Sequence, residues 1–180
     1  ETIADYFDLS LQHASPTLLR SMRRPGSGDK HLELIAKIRK AAPLAATRSS
    51  FIVGYPGETE DDHETLVEFL EEARLDWAGF FPYSKEEGTT AATLPDQLSH
   101  DVITERLRHV QQIQDDITAS ANAGVVGSTF KVLIDQVEDG QAVGRSYREA
   151  PEIDGVILLN EGIIGEWVNA RIDGAYGTDL

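Results

Sequence analysis

The sequence predicts an α/β chain: parallel strands with crossover helices, followed by a small all-β barrel or sandwich. Three observations predict it. Strand-like runs alternate with amphipathic, helix-length segments as far as Ala123. Beyond Gly127 the apolar period changes from about 3.6 to about 2 residues. Between these parts no repeat or low-complexity tract intervenes. Three parallel strands cannot close a barrel by themselves, so the first part is an open segment or part of a larger barrel.

Asp5 to Leu11 alternates Tyr6/Asp8/Ser10 with Phe7/Leu9/Leu11, the pattern of a half-covered strand. Ser15-Pro16 is a cap with a first-turn proline, and Leu18, Leu19 and Met22 mark a short helix that Pro25-Gly26-Ser27-Gly28 stops. Asp29 is the expected cap of a second helix, whose apolar face is Leu32, Ile35, Ala36 and Ile38 and which Pro43 ends. Ala45 to Val53 is the next strand. It meets a Gly54-Tyr55-Pro56-Gly57 turn and a helix in which Thr59 and Asp62 form a capping-box pair. Leu66, Phe69, Leu70 and Ala73 recur there at helical spacing. Asp76 to Phe81 is a third strand, and the order β-α-β-α-β implies a parallel sheet.

Lys85 to Gln97 is a loop punctuated by Gly88 and Pro95. A long helix runs from Ser99 to about Ala123, with Ile103, Leu107, Val110, Ile117 and Ala121 on one side. In the tail, Phe130–Asp135, Gln141–Tyr147, Gly155–Leu159 and Trp167–Ile172 read as strands, with Asp139-Gly140 and Asp173-Gly174 as hairpin signals. The expected domains are residues 1–121 and 122–180, with the boundary inside residues 119–126.

Composition narrows the function classes. The chain has no cysteine, which excludes disulfides, thiolate chemistry and Cys-ligated metals within it. Its five histidines stand singly, without the paired spacing of a zinc site. No apolar run approaches the length of a membrane helix, and a cysteine-free chain of this kind fits the cytoplasm. The net charge of -15 argues against general nucleic-acid binding and favours a positively charged partner. The tail alone carries four basic against ten acidic residues. The chain opens on strand-like sequence without methionine, so a piece of a longer protein is expected.

Several ordered motifs carry a resemblance that spans nearly the whole chain. They are Leu9-Ser-Leu-Gln-His-Ala-Ser15, Phe51-Ile-Val-Gly-Tyr-Pro-Gly-Glu-Thr59, Tyr83-Ser84 with Glu87-Gly88-Thr89, and Leu94-Pro-Asp-Gln97. In this order they resemble the C-terminal part of the open, TIM-like barrel of the radical S-adenosylmethionine methylthiotransferases, and the β-rich tail resembles their small all-β TRAM barrel domain. Gln12-His-Ala-Ser15 and Val143-Gly-Arg-Ser-Tyr147 through Ala150-Pro-Glu-Ile-Asp-Gly155 are similar to the branch that methylthiolates an aspartate β-carbon on a small-subunit ribosomal protein.

The resemblance implies an intact enzyme that uses S-adenosylmethionine and two 4Fe-4S clusters, one of them on a three-cysteine loop after the first barrel strand. This chain has no such loop, so it resembles a C-terminal fragment without catalytic residues of its own. It is expected to be inactive alone, since clusters are held by thiolates.

Six residues are the candidate cofactor contacts by that resemblance. Gln12, at a strand end, offers an amide to a ribose or methionine moiety, and an exposed loop amide is the competing reading. Arg48 offers a guanidinium to the cofactor carboxylate, against a surface ion pair. Gly54 and Gly57 would let backbone approach adenosine. Glu58 falls one residue late for the superfamily's Gly-x-Ile-x-Gly-x-x-Glu pattern, and Ser50 replaces its first glycine, so helix capping or local pairing competes for Glu58. Tyr83 would border adenine, against plain packing. In the tail, Trp167, Asp154 and Glu166 are the candidate substrate-binding residues for a basic ribosomal protein. Two alternatives stay open: a sister enzyme acting on a tRNA adenosine, and a non-catalytic docking module.

Overall fold

The computed structural model describes residues 3–180. Strand β1 (Tyr6–Gln12) leads through α1 (Pro16–Ser21) and α2 (Gly28–Ala41) to β2 (Ala46–Val53); α3 (Glu60–Ala73) follows, then β3 (Trp77–Pro82). The three strands form a parallel sheet in the order β1-β2-β3, as the alternation of strands and crossover helices predicts. Helix α4 (His100–Ala123) closes this half, with 24 residues spanning about 36 Å.

The helices build the core on one face of the sheet. Leu11, Phe51 and Val53 meet Leu66, Phe69, Leu70, Leu75, Val110 and Ile117 there. Phe51 is fully buried between Phe69 and Phe80, with ring centroids 5.9 and 5.7 Å away. The other face carries the polar set Asp8, Arg48 and Ser50, which bond to one another.

Local signals hold well for α3. Thr59 Oγ1 accepts from the Asp62 N–H and the Asp62 carboxylate accepts from the Thr59 N–H, a complete capping box. Leu66, Phe69, Leu70 and Ala73 are all buried. Helix α2 differs from expectation: Ser27, not Asp29, caps it, because the Ser27 hydroxyl accepts from the Lys30 N–H and the chain enters two residues earlier. Ala36 is exposed, and His31 and Ile35 take the buried positions. Helix α4 buries Arg106, Gln114, Thr118 and Asn122 beside Ile103, Val110 and Ile117, so its inner stripe is half polar.

The C-terminal unit is a curled antiparallel sheet in the order β6-β5-β4-β7, from β4 (Thr129–Glu138), β5 (Gln141–Arg145), β6 (Ile157–Leu159) and β7 (Trp167–Arg171). Asp139-Gly140 makes the β4–β5 hairpin, both residues at positive φ (49° and 87°) as a type I′ turn requires. Asp173-Gly174 makes no hairpin, because β7 has no following strand. The chain instead returns so that the Leu158 N–H donates to the Leu180 carbonyl at 2.8 Å. Ser146 to Val156 leaves the sheet and packs against the first unit.

Candidate functional site

The C-terminal ends of the three parallel strands form one rim, the position where α/β folds gather ligands. Gln12 ends β1, Gly54 follows β2 and Tyr83 follows β3. Gln12 sits at φ 71° beside a register shift in β1. The Tyr83 N–H continues the ladder to the Val53 carbonyl at 2.8 Å, and its ring meets Tyr55 edge-on at 5.6 Å. Tyr83 Oη is buried without a hydrogen-bond partner. The Gly57 N–H donates to the Asp96 carbonyl at 3.0 Å, which ties the Leu94–Gln97 motif to the Gly-x-x-Gly turn.

Beneath this rim lies a buried polar cluster. Glu58 turns inward, its Oε2 accepting from the Gly54 N–H at 2.7 Å and its Oε1 from Arg106 Nη1 at 2.8 Å. Arg106 also reaches Glu60 at 2.9 Å. Burial raises the Glu58 carboxyl above its usual range, opposed by the Gly54 N–H and by Arg106. His13 Nδ1 accepts from the Ser15 N–H at 3.0 Å, which leaves the proton of the neutral ring on Nε2, 3.8 Å from Glu58 Oε2. Burial, aided by His63 and Arg106, outweighs the Asp62 carboxylate and lowers the His13 imidazole to about 4. Ser15 Oγ donates to Asp62 Oδ1 at 2.5 Å, which joins α1 to α3.

The structure therefore separates the six candidate cofactor residues. Gln12, Gly54, Gly57 and Tyr83 share the rim. Glu58 is committed to Gly54 and Arg106, the local-pairing reading, and has no free edge for a ligand. Gly54 is glycine for a packing reason: at φ 80° a Cβ would stand 2.4 Å from Ile103 Cγ1 of α4. Gly57 faces open space.

Arg48 lies near the opposite end of β2. Its Nε donates to Asp154 Oδ1 at 3.1 Å and its Nη1 to Asp8 at 3.2 Å, so it is spent on ion pairs away from the rim. Asp154 is correspondingly no surface acid: Tyr6 Oη donates to it at 2.6 Å and the Ala150 N–H at 2.9 Å. Burial and that carboxylate push the Tyr6 phenol far above its ordinary range.

Of the tail candidates, Trp167 is 57% exposed with Lys131 Nζ 4.9 Å from its ring centroid, and Glu166 is exposed beside it. Ile163 and Ile164 stand exposed in the preceding loop.

Sequence reasoning missed Arg106 and the His63–His109 pair, whose Nε2 and Nδ1 lie 3.0 Å apart between α3 and α4. The signal for Arg106 was a charge on the apolar stripe of α4, between Ile103 and Val110. Among the described residues no group of three or more His, Cys, Asp or Glu side chains forms a metal site, and no helix is long and apolar enough to cross a membrane.

Residues 1–70 match the radical SAM superfamily and residues 126–180 the TRAM domain. Proteins named ribosomal protein uS12 methylthiotransferase RimO are similar along the whole chain. The one from Streptomyces coelicolor is 46% identical over all of this chain and 38% of its own length. That from Cellvibrio japonicus is 48% identical over 99% of this chain and 40% of its own, and that from Shewanella amazonensis 46% over 99% and 38%. The chain thus spans about two fifths of the length of the curated relatives it matches. The resemblance read from the ordered motifs is borne out in the matches to both the radical SAM superfamily and the TRAM domain.

Proposed function

We propose that this chain, a radical SAM superfamily segment joined to a TRAM domain, works as the C-terminal part of a methylthiotransferase that modifies the β-carbon of an aspartate in a basic small-subunit ribosomal protein. The observation that carries this reading is the unbroken similarity, at 46–48% identity, to relatives whose name states uS12 methylthiotransfer. Such work belongs to the cytoplasm, where the ribosome is the setting.

S-adenosylmethionine, when bound in such an enzyme, supplies the radical initiator and the methyl group. The rim suits its adenosine side. Tyr83 Oη is buried and unpartnered, Gln12 adds an amide donor and acceptor, and Gly57 leaves open space at the turn. Glu58 and Arg106 hold that turn in place from below. The iron–sulfur clusters do not fit this chain, which has no thiolate to offer, and alone it is inactive in methylthiotransfer.

The tail supports a protein partner. Trp167, Ile163 and Ile164 are an exposed apolar group beside the exposed acids Glu161 and Glu166, a combination suited to a basic chain with apolar side chains. The net charge of -15 disfavours tRNA.

Calorimetry of this chain against a purified basic small-subunit ribosomal protein and against tRNA tests the reading. Binding of the protein, weakened by salt and by Trp167→Ala, supports it. Tight, salt-sensitive binding of tRNA alone replaces it with the tRNA-modifying alternative. Binding of neither removes the partner assignment.

A further inference from the structure

The two folded units exchange arginines. Arg48 of β2 donates Nε–H to Asp154 Oδ1 at 3.1 Å in the loop after β5. In return Arg148 of that loop reaches Asp76 Oδ1, just before β3, at 3.4 Å. Trp77 Nε1 donates to the Arg148 carbonyl at 2.7 Å between them. In the parallel ladder Asp8, Arg48 and Trp77 are neighbours on adjoining strands, so the loop meets one continuous row across the sheet.

Asp154 uses both carboxylate oxygens, Oδ1 for Arg48 and Oδ2 for Tyr6 and Ala150, and its side chain is 2% exposed. Arg48 turns its Nη1 to Asp8 and Ser50 on the face of the sheet away from the helices. Buried charge-assisted hydrogen bonds are directional, and one left without its partner is strongly unfavourable. An apolar contact of the same area would tolerate sliding; crossed ion pairs do not.

We propose that Asp154 is a positioning residue: reaching across from the TRAM side, it orients Arg48 and through it Asp8 and Ser50, which makes residues 146–156 a fixed end wall of the parallel sheet rather than part of a separable arm. The proposal concerns the chain's own geometry and stands whichever reaction the rim serves.

Tryptophan emission tests it. The chain has two tryptophans, and a Trp167→Phe background leaves Trp77, at the junction, as the reporter. In that background Asp154→Ala and Arg48→Met are each expected to red-shift Trp77 emission and to raise its acrylamide quenching several-fold with helix content unchanged. Asp154→Asn, which keeps shape and one acceptor, is expected to give an intermediate value. Wild-type quenching in both folded variants would overturn the proposal. So would a change in Asp154→Ala without one in Arg48→Met, since Asp154 would then act only within its own loop. Should neither variant fold, exchange of the Trp77 indole N–H in the unmodified chain decides. Exchange as slow as that of the Phe51 amide supports a fixed wall, and clearly faster exchange overturns it.

Discussion

Arg106 donates from Nη1 to both the Oε1 of Glu58 (2.8 Å) and its backbone carbonyl (3.1 Å), so α4 clamps the first residues of the β2–α3 turn. Ile103, one turn earlier, fills the space over Gly54. The same helix ends with Asn122 donating to the Gly177 and Thr178 carbonyls of the C-terminal unit. One helix thus touches the strand rim and the C-terminal segment of the second unit, a link from sequence through packing to the geometry of the site.

Arg106→Met should cost about 3–5 kcal/mol in chemical denaturation, because it strands the buried Glu58 carboxylate. Adding Glu58→Gln should recover much of that loss, since the lone charge is then removed. Equal stability of Arg106→Met and wild type would show the pair to be dispensable.

Gly54→Ala and Gly57→Ala should separate two roles of glycine. Gly54→Ala meets both a positive φ and Ile103, so about 2–5 kcal/mol is expected from strain and overpacking together. Gly57→Ala meets only the backbone penalty, on the order of 1 kcal/mol. Thermal unfolding of the two variants side by side checks the order.

Stability should fall on acidification through His13. Its folded value near 4 lies below the ordinary 6.5, so the unfolded chain takes up the proton first. The neutral ring is therefore fully stabilising above about pH 6.5, and its contribution is lost as pH drops toward 4, by about 3 kcal/mol at most. His13→Gln should flatten that part of the profile relative to wild type. Parallel profiles between pH 6.5 and 4 would remove His13 as the cause.

On the proposed function, S-adenosylmethionine added to this chain should leave its melting temperature unchanged, because the chain holds no cysteine for a cluster that would anchor the cofactor. A clear rise would show that the rim residues suffice for binding.

Much of this was legible before any coordinates. The Thr59–Asp62 box and the Leu66–Ala73 stripe depend on neighbours three or four residues apart, and they appear as read. Asp139-Gly140 succeeds because β5 follows it directly, whereas Asp173-Gly174 fails because a turn signal carries no information about whether a partner strand exists. Ser27 displaced Asp29 as a cap because both have the chemistry and only the entry path chooses between them.

The sequence by itself determined the alternation of strands and helices, the change of period after α4 and the rim motifs, since each is written in short-range spacing. Only the tertiary structure decided what Arg48, Glu58, Gly54 and Asp154 do. Arg48 and Asp154 stand 106 residues apart, and Glu58 and Arg106 stand 48 apart. At such separations a charge finds its partner through the packing of whole elements, which no local pattern records.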